Sequence, residues 1–263
     1  MPFTLSHAAV AAPLARRGLI LSAVAVGSMA PDYEYFLRLS MNSRWSHSLT
    51  GVLTFCLPVS FLILWLFHSF LKRPLIAMLP AAHRERLTAY AGPFSFGPWP
   101  RFLRILASIV IGIVSHLVFD AWTHDHGLVV EHWALLRQPL LNYPAYPMPV
   151  HDAMQAGLSV IMLLAIVIQY WTWFRRTAPA PVPLAQFIDV RPVLMSWIVL
   201  GAMALASGFA YAALTAPPVH DALTFRVFCG RVVLAGLSAL VIASVVFGWF
   251  RARHQAATVE EES

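Results

Sequence analysis

The sequence is poor in charged residues and in cysteine. Only 11% of its 263 residues are Asp, Glu, Lys or Arg, whereas 59% are hydrophobic. So little charge, combined with apolar runs of about 20 residues, excludes a disordered chain and a soluble globular domain of ordinary composition. The two cysteines, Cys56 and Cys229, both lie inside apolar runs, which argues against a disulfide-stapled fold.

Basic residues exceed acidic ones, 18 to 12, for a net charge of +6. They stand at the ends of apolar runs rather than in one patch, which argues against a nucleic-acid partner. The composition therefore predicts an all-α, polytopic membrane helix bundle whose partner is the lipid bilayer.

Five apolar runs are long enough to cross about 30 Å of hydrocarbon as helices. Residues 177–192 contain four prolines and cannot form a continuous helix. We therefore expect a helical membrane domain over residues 1–176, a Pro-rich cytoplasmic linker over 177–192, a two-helix membrane hairpin over 193–250 and a polar tail over 251–263. The five predicted spans are Leu49–Leu71, Leu103–Trp122, Ala153–Phe174, Val193–Leu214 and Val227–Phe250.

Lys and Arg predict the orientation, because cytoplasmic loops retain positive charge. They are concentrated in residues 72–104, in the linker and after the last span. These segments and the C-terminus are therefore expected in the cytoplasm, with residues 30–48, 123–152 and 215–226 outside.

The first 30 residues allow two interpretations. Arginines at 16 and 17 precede the apolar run Leu19–Gly27, as in a cleaved signal peptide. Against cleavage, 15 residues precede the arginine pair, and Pro31 would follow the cut. The alternative is a retained re-entrant hairpin of two short helices, Ser6–Ala15 and Leu19–Ala30, neither of which is long enough to cross a bilayer.

Polar and ionisable side chains collect at the outer ends of the predicted spans. Such residues at membrane depth are costly and commonly functional. Asp120 is the clearest case, because a lone carboxylate within an apolar run needs a partner. His116, Asp120 and His124 have the spacing i, i+4, i+8 and would share one face of a continuous helix. The residues at this face are His47, His116, Asp120, His124, His126, His151 and Gln155.

His7 and Asp32 belong to this set only if the first segment is a hairpin. A single helix would hold them about 37 Å apart, whereas a hairpin brings both to the outer face. Imidazoles with one or two carboxylates suit Zn²⁺, and a catalytic zinc site keeps one position open for water.

Four motifs carry a family resemblance: Thr4-Leu5-Ser6-His7, Met29-Ala30-Pro31-Asp32, Ser46-His47-Ser48 and His116-Leu117-Val118-Phe119-Asp120. With them, the chain resembles an uncharacterised bacterial membrane family known as domain of unknown function 4184. The order of these residues is also similar to that in membrane-bound metal-dependent hydrolases. A more distant similarity is to the zinc-dependent phospholipase C and single-strand nuclease superfamily.

The resemblance implies one or two Zn²⁺ ions, or another divalent metal. It places His47, His116 and Asp120 around one ion and His7 beside a second that shares Asp120. Asp32 would be a ligand or the base that activates water.

The resemblance bears on four further residues. His126 matches a later histidine of the soluble enzymes, although the shared helix face favours His124. His151 and Gln155 echo an H-x3-E motif. Because Gln is a poor zinc ligand, a third ion is not expected.

The expected function is a membrane-embedded metal-dependent hydrolase at the outer face of the bacterial inner membrane. Phosphoester bonds of lipid head groups are the expected substrate, because head groups lie at that depth. Two alternatives stay open: a non-catalytic, metal-stabilised membrane protein, and a proton-coupled transporter. A transporter would normally place its ionisable residues near the bilayer midplane rather than at one edge.

Overall fold

The structure is a computed structural model that describes residues 4–39, 45–143, 146–180 and 190–218, with residue 224 and parts of 227–246. It is an all-α bundle, as predicted, and the chain is a multi-pass membrane protein. Within the described ranges four helical segments, two of them made of several consecutive elements, are long and apolar enough to cross a membrane. They are Leu49–Ile76, Trp99–His132, Val150–Arg176 and Trp197–Thr215.

The described residues form a series of helices and one pair of strands. In chain order they are a 3₁₀ helix at Thr4–Val10, α1 (Ala11–Ala15), α2 (Leu21–Met29), a 3₁₀ turn at Ala30–Asp32, α3 (Tyr33–Arg38), α4 (Leu49–Gly51), a π turn at Val52–Cys56, α5 (Leu57–Leu66), a π turn at Phe67–Leu71, α6 (Lys72–Met78), α7 (Ala81–Leu87), a 3₁₀ turn at Thr88–Tyr90, α8 (Trp99–Thr123), α9 (Leu128–His132), α10 (Ala134–Arg137), β1 (Pro139–Tyr143), β2 (Tyr146–Pro149), α11 (Val150–Arg176) and α12 (Val190–Thr215). Strands β1 and β2 pair as an antiparallel hairpin.

Four of the five predicted spans are therefore present, with shifted ends. Helix α12 begins at Val190 rather than Val193, because Pro192 lies in its first turn, where a missing N–H costs no helical hydrogen bond. The predicted fifth span is described only in part, as an apolar helix over Val227–Leu240. Linker residues 181–189 and the predicted tail over 251–263 lie outside the described residues.

The chain forms two compact units. The first comprises Met1–Tyr33, Ser43–Leu64 and Ser95–Arg175, and the second comprises Glu34–Asn42, Trp65–Phe94 and Arg176–Ser263. In the second unit α6 packs against α12.

Side-chain contacts hold the second unit together. The Lys72 ammonium donates to the Gly92 carbonyl at 2.5 Å, and the His68 ring stacks on Phe94 with centroids 3.8 Å apart. The His68 ring therefore packs against Phe94.

The N-terminal hairpin has the predicted form. Helix α1 ends before Gly18, whose φ of +95° reverses the chain at a conformation that glycine adopts without strain. The next segment is tied to α8, because the Ile20 N–H donates to Ser108 Oγ at 3.0 Å. The turn allows the segments around residues 7 and 32 to approach the same end of α8.

Helices α2 and α8 pack closely through two glycines. A Cβ atom at Gly112 would lie 2.5 Å from the Val24 carbonyl oxygen, and one at Gly27 would overlap the Ile109 carbonyl. Both distances are too short for a real side chain, so only glycine permits this backbone contact. The contact sets the position of the end of α2 relative to residues 116 and 120.

We expect Gly112→Ala to destabilise the protein by about 1–3 kcal/mol, because the added methyl group must push α2 away from α8. The measurement is the thermal unfolding midpoint in detergent. Gly157→Ala is the matched control: it also changes a helical glycine, but no described atom lies within 4 Å of its Cβ position. It should be neutral or stabilising by up to about 1 kcal/mol. Equal midpoints for the two variants would show that the packing contact is wrong.

Candidate metal centre

Side chains from four parts of the first unit converge beside the end of α8. The first 3₁₀ helix contributes His7, the turn after α2 contributes Asp32, and the segment before α4 contributes His47. Helix α8 contributes His116 and Asp120 from its buried face. Apart from His47, which is partly exposed, these side chains are buried. The structure thus brings these five candidate residues together.

Asp120 lies at the centre of the cluster and faces four imidazole rings. Its Oδ2 is 3.1 Å from Nε2 of both His47 and His116. Its Oδ1 is 3.8 Å from His7 Nε2 and 3.4 Å from His124 Nδ1. The two oxygens of one carboxylate thus serve two different pairs of histidines.

The His116 ring is fixed by a backbone carbonyl. Its Nδ1 lies 2.8 Å from the Ser28 oxygen, which can only accept, so Nδ1 carries the proton. In the neutral ring Nε2 then has a free lone pair, and it faces Asp120 and, at 3.6 Å, Oδ1 of Asp32. A histidine whose other nitrogen donates to a carbonyl is the arrangement that orients metal ligands.

Buried polar atoms in this cluster lack hydrogen-bond partners among the described residues. His116 Nε2 lies 3.1 Å from Asp120 Oδ2, but with the proton on Nδ1 it has none to donate to that oxygen. Leaving such atoms unsatisfied costs about 1–3 kcal/mol each, so the cluster is incomplete as a purely protein structure. The atoms are His7 Nδ1, His7 Nε2, Asp32 Oδ2, His116 Nε2 and Asp120 Oδ1.

The donor atoms are close enough to hold a cation. Two overlapping groups have ligand atoms within 4.8 Å of one another: His7, His116 and Asp120, and Asp32, His47 and His116. Each group offers donor atoms from two histidines and one aspartate, and these are ligands that zinc sites use. The residues therefore fit a divalent metal, and His116 belongs to both groups.

Burial also affects the two groups contributed by the N-terminal hairpin. Desolvation, and then the adjacent His116 ring, lowers the pKa of His7 to about 3. His7 is thus neutral at physiological pH, the form that binds metals. Burial raises the pKa of Asp32 above its usual range, because its charge is desolvated.

His47 is held in place by the segment that leads into the first span. Its Nδ1 lies 3.1 Å from Ser46 Oγ, and the Ser46 carbonyl accepts from Cys56 Sγ at 3.3 Å. Ser48 then begins α4 as its N-cap, accepting the Gly51 N–H at 3.0 Å. The cap and the serine contact direct Nε2 of His47 toward Asp120.

The family described as Domain of unknown function (DUF4184) matches residues 1–249. The chain belongs to this family. No curated protein matches it, and no solved structure does. The match spans every candidate site residue of this DUF4184 protein.

The DUF4184 chain brings His124 to the cluster, although not on a helix face. Helix α8 ends at Thr123, and His124 has extended backbone angles. The continuous i, i+4, i+8 face stops there because the backbone turns toward Gly127, whose N–H donates to the His124 carbonyl at 2.7 Å. His124 nevertheless reaches Asp120 by Nδ1, and its Nε2 lies 3.1 Å from Gln155 Nε2. Gln155 thus contacts a candidate ligand.

The structure places the two other candidates away from the cluster. His126 is 87% exposed and lies 3.8 Å from Glu131. His151 is buried, but its Nδ1 lies 2.9 Å from the Leu136 carbonyl and its Nε2 is 2.8 Å from Asp125. Sequence reasoning missed Asp125 because nothing in the spacing of residues 125 and 151 links them.

Proposed function

We propose that this protein is a membrane-embedded, metal-dependent hydrolase that acts on phosphoester bonds of lipid head groups. The observation that carries the proposal is the convergence of buried, unpaired histidine nitrogens and carboxylate oxygens around Asp120. Such groups are costly in a membrane protein unless they have a partner. A divalent cation is the partner that this donor set fits.

The metal ligands would be His7, His47, His116, Asp120 and His124, with Asp32 either completing the set or acting as a base. Two ions can be accommodated, because the oxygens of Asp120 face different histidine pairs. A bound Zn²⁺ ion would supply positive charge that polarises a phosphoester and lowers the pKa of water.

Asp32 is suited to accept a proton from the attacking water. Its Oδ2 lacks a hydrogen-bond partner among the described residues, and its Oδ1 lies 3.6 Å from His116 Nε2. His116 is held by the Ser28 carbonyl, so it keeps its orientation while Asp32 changes protonation. His47 and His124, both partly exposed, flank the side from which a substrate would enter.

The distribution of Lys and Arg supports an outward-facing site in the bacterial cytoplasmic membrane, with the C-terminus in the cytoplasm. The cluster lies at the end of α8 rather than at its centre. A site at that depth meets head groups rather than acyl chains, which is why the proposed substrate is a lipid phosphoester. The edge position also disfavours a proton-coupled transporter.

We expect the purified protein to hydrolyse a phosphodiester or phosphomonoester within a panel of bacterial phospholipids and generic esters. Chelation should abolish the activity and Zn²⁺ should restore it, because the ligands are protein side chains that survive chelation. His132→Ala is the control, since this exposed ring lies outside the cluster, with its Nδ1 2.8 Å from the Leu128 carbonyl of its own helix. Tight metal binding with no hydrolysis would favour the non-catalytic, metal-stabilised alternative.

A further inference from the structure

The segment between α8 and α11 exposes a set of large apolar side chains near the metal centre. Exposed fractions are 69% for Leu128, 48% for Trp133 and 50% for Leu135. The same short helices bury Val130 and Leu136, which fix them to the first unit. The segment thus directs Val130 and Leu136 inward and Leu128, Trp133 and Leu135 outward.

This exposed surface continues the lipid-facing side of α8. One face of α8 carries the buried cluster residues, and another face is exposed and apolar. The two surfaces join where the Trp122 ring meets Trp133 edge to face, with centroids 6.0 Å apart. The exposed row on α8 is Ile111, Val114, Val118 and Trp122.

The length of α8 places the segment at the membrane surface. Its 25 residues span about 37 Å at 1.5 Å per residue, which already exceeds the hydrocarbon thickness of about 30 Å. The segment that follows therefore starts at the interface, and α11 returns from the same side. Trp side chains are enriched at that depth.

We propose that α9 and α10 form an interfacial platform, defined by Leu128, Trp133 and Leu135, that lies in the head-group and upper acyl region of the bilayer. Its partner is a phospholipid surface. The platform would hold lipid head groups beside residue 124, the last candidate ligand of α8. The position of the platform does not depend on the proposed hydrolase activity.

Spin labels can test the platform directly. In a chain carrying Cys56→Ser and Cys229→Ser, nitroxides would be attached to Leu128→Cys and, separately, Leu135→Cys. The protein would be reconstituted in vesicles of phosphatidylcholine and phosphatidylglycerol. We expect both labels to be more accessible to oxygen, which partitions into lipid, than to a water-soluble nickel chelate. His126→Cys, 87% exposed in the turn before α9, is the control and should show the opposite order.

Two results would overturn the proposal. Greater accessibility to nickel than to oxygen at both leucine positions would place the platform in water. Low accessibility to both reagents would show that protein, such as a second copy of the chain, covers it. Two label positions guard against a local disturbance by either substitution.

Discussion

Replacing Asp120 with alanine is expected to remove the bound metal from the purified protein. Asp120 lies within reach of four candidate histidines, and each of its oxygens faces two of them. The loss should exceed the roughly 10–100-fold fall in affinity caused by losing an outer-shell partner. His116→Ala should have the same effect, because His116 belongs to both donor groups. The measurement is metal content by elemental analysis after detergent purification.

Two further variants make this result specific. Asp120→Asn keeps the size of the side chain and removes its charge, so it separates metal loss from a packing defect. Asp152→Ala removes the same charge from α11, where Asp152 lies 3.6 Å from His151 and outside the cluster. It should keep the metal. Full metal content in Asp120→Ala and His116→Ala would refute the assignment, whereas a partial loss would indicate two ions.

Asp32→Asn should separate catalysis from metal binding. If Asp32 is the base, asparagine keeps the size and one acceptor oxygen but removes the charge that proton transfer needs. Metal should stay, and turnover should fall by about 10² to 10⁴-fold. The assay compares turnover and metal content in the same preparations, using the substrate found in the screen.

Glu34→Gln is the matched control for Asp32→Asn. It removes a second buried carboxylate two residues away, one that pairs with Arg38 at 2.7 Å. Its turnover should stay close to that of the unmodified protein. Loss of metal in Asp32→Asn would make Asp32 a necessary ligand, and unchanged turnover would leave it no role in the reaction.

The fold was predictable where one physical effect dominates. Apolar length alone located α8 and α11, and hydrocarbon thickness sets that length. The ends were less predictable, because they depend on local groups. Helix α8 begins at Trp99 rather than Leu103, since Pro100 fits the first turn of a helix. The π turn at Val52–Cys56 was not foreseen, although Pro58 lacks the N–H that a regular helix needs there.

The sequence predicted which residues belong to the candidate site better than it predicted how they are arranged. A charged residue inside an apolar run is energetically costly at membrane depth and is therefore commonly functional. This reasoning pointed to Asp120 and the histidines around it. The contact between the Ser28 carbonyl and the His116 ring could not be predicted from the sequence. It depends on how closely Gly27 and Gly112 let α2 approach α8. The pairing of His151 with Asp125 likewise depends on loop conformation.

The most direct test of the metal centre is X-ray absorption at the zinc edge, on protein purified with zinc and without chelators. We expect nitrogen and oxygen ligands at about 2.0–2.2 Å, with imidazole scattering that is lost in His116→Ala. No stoichiometric metal, or a sulfur shell at about 2.3 Å, would contradict the assignment of this histidine and aspartate cluster.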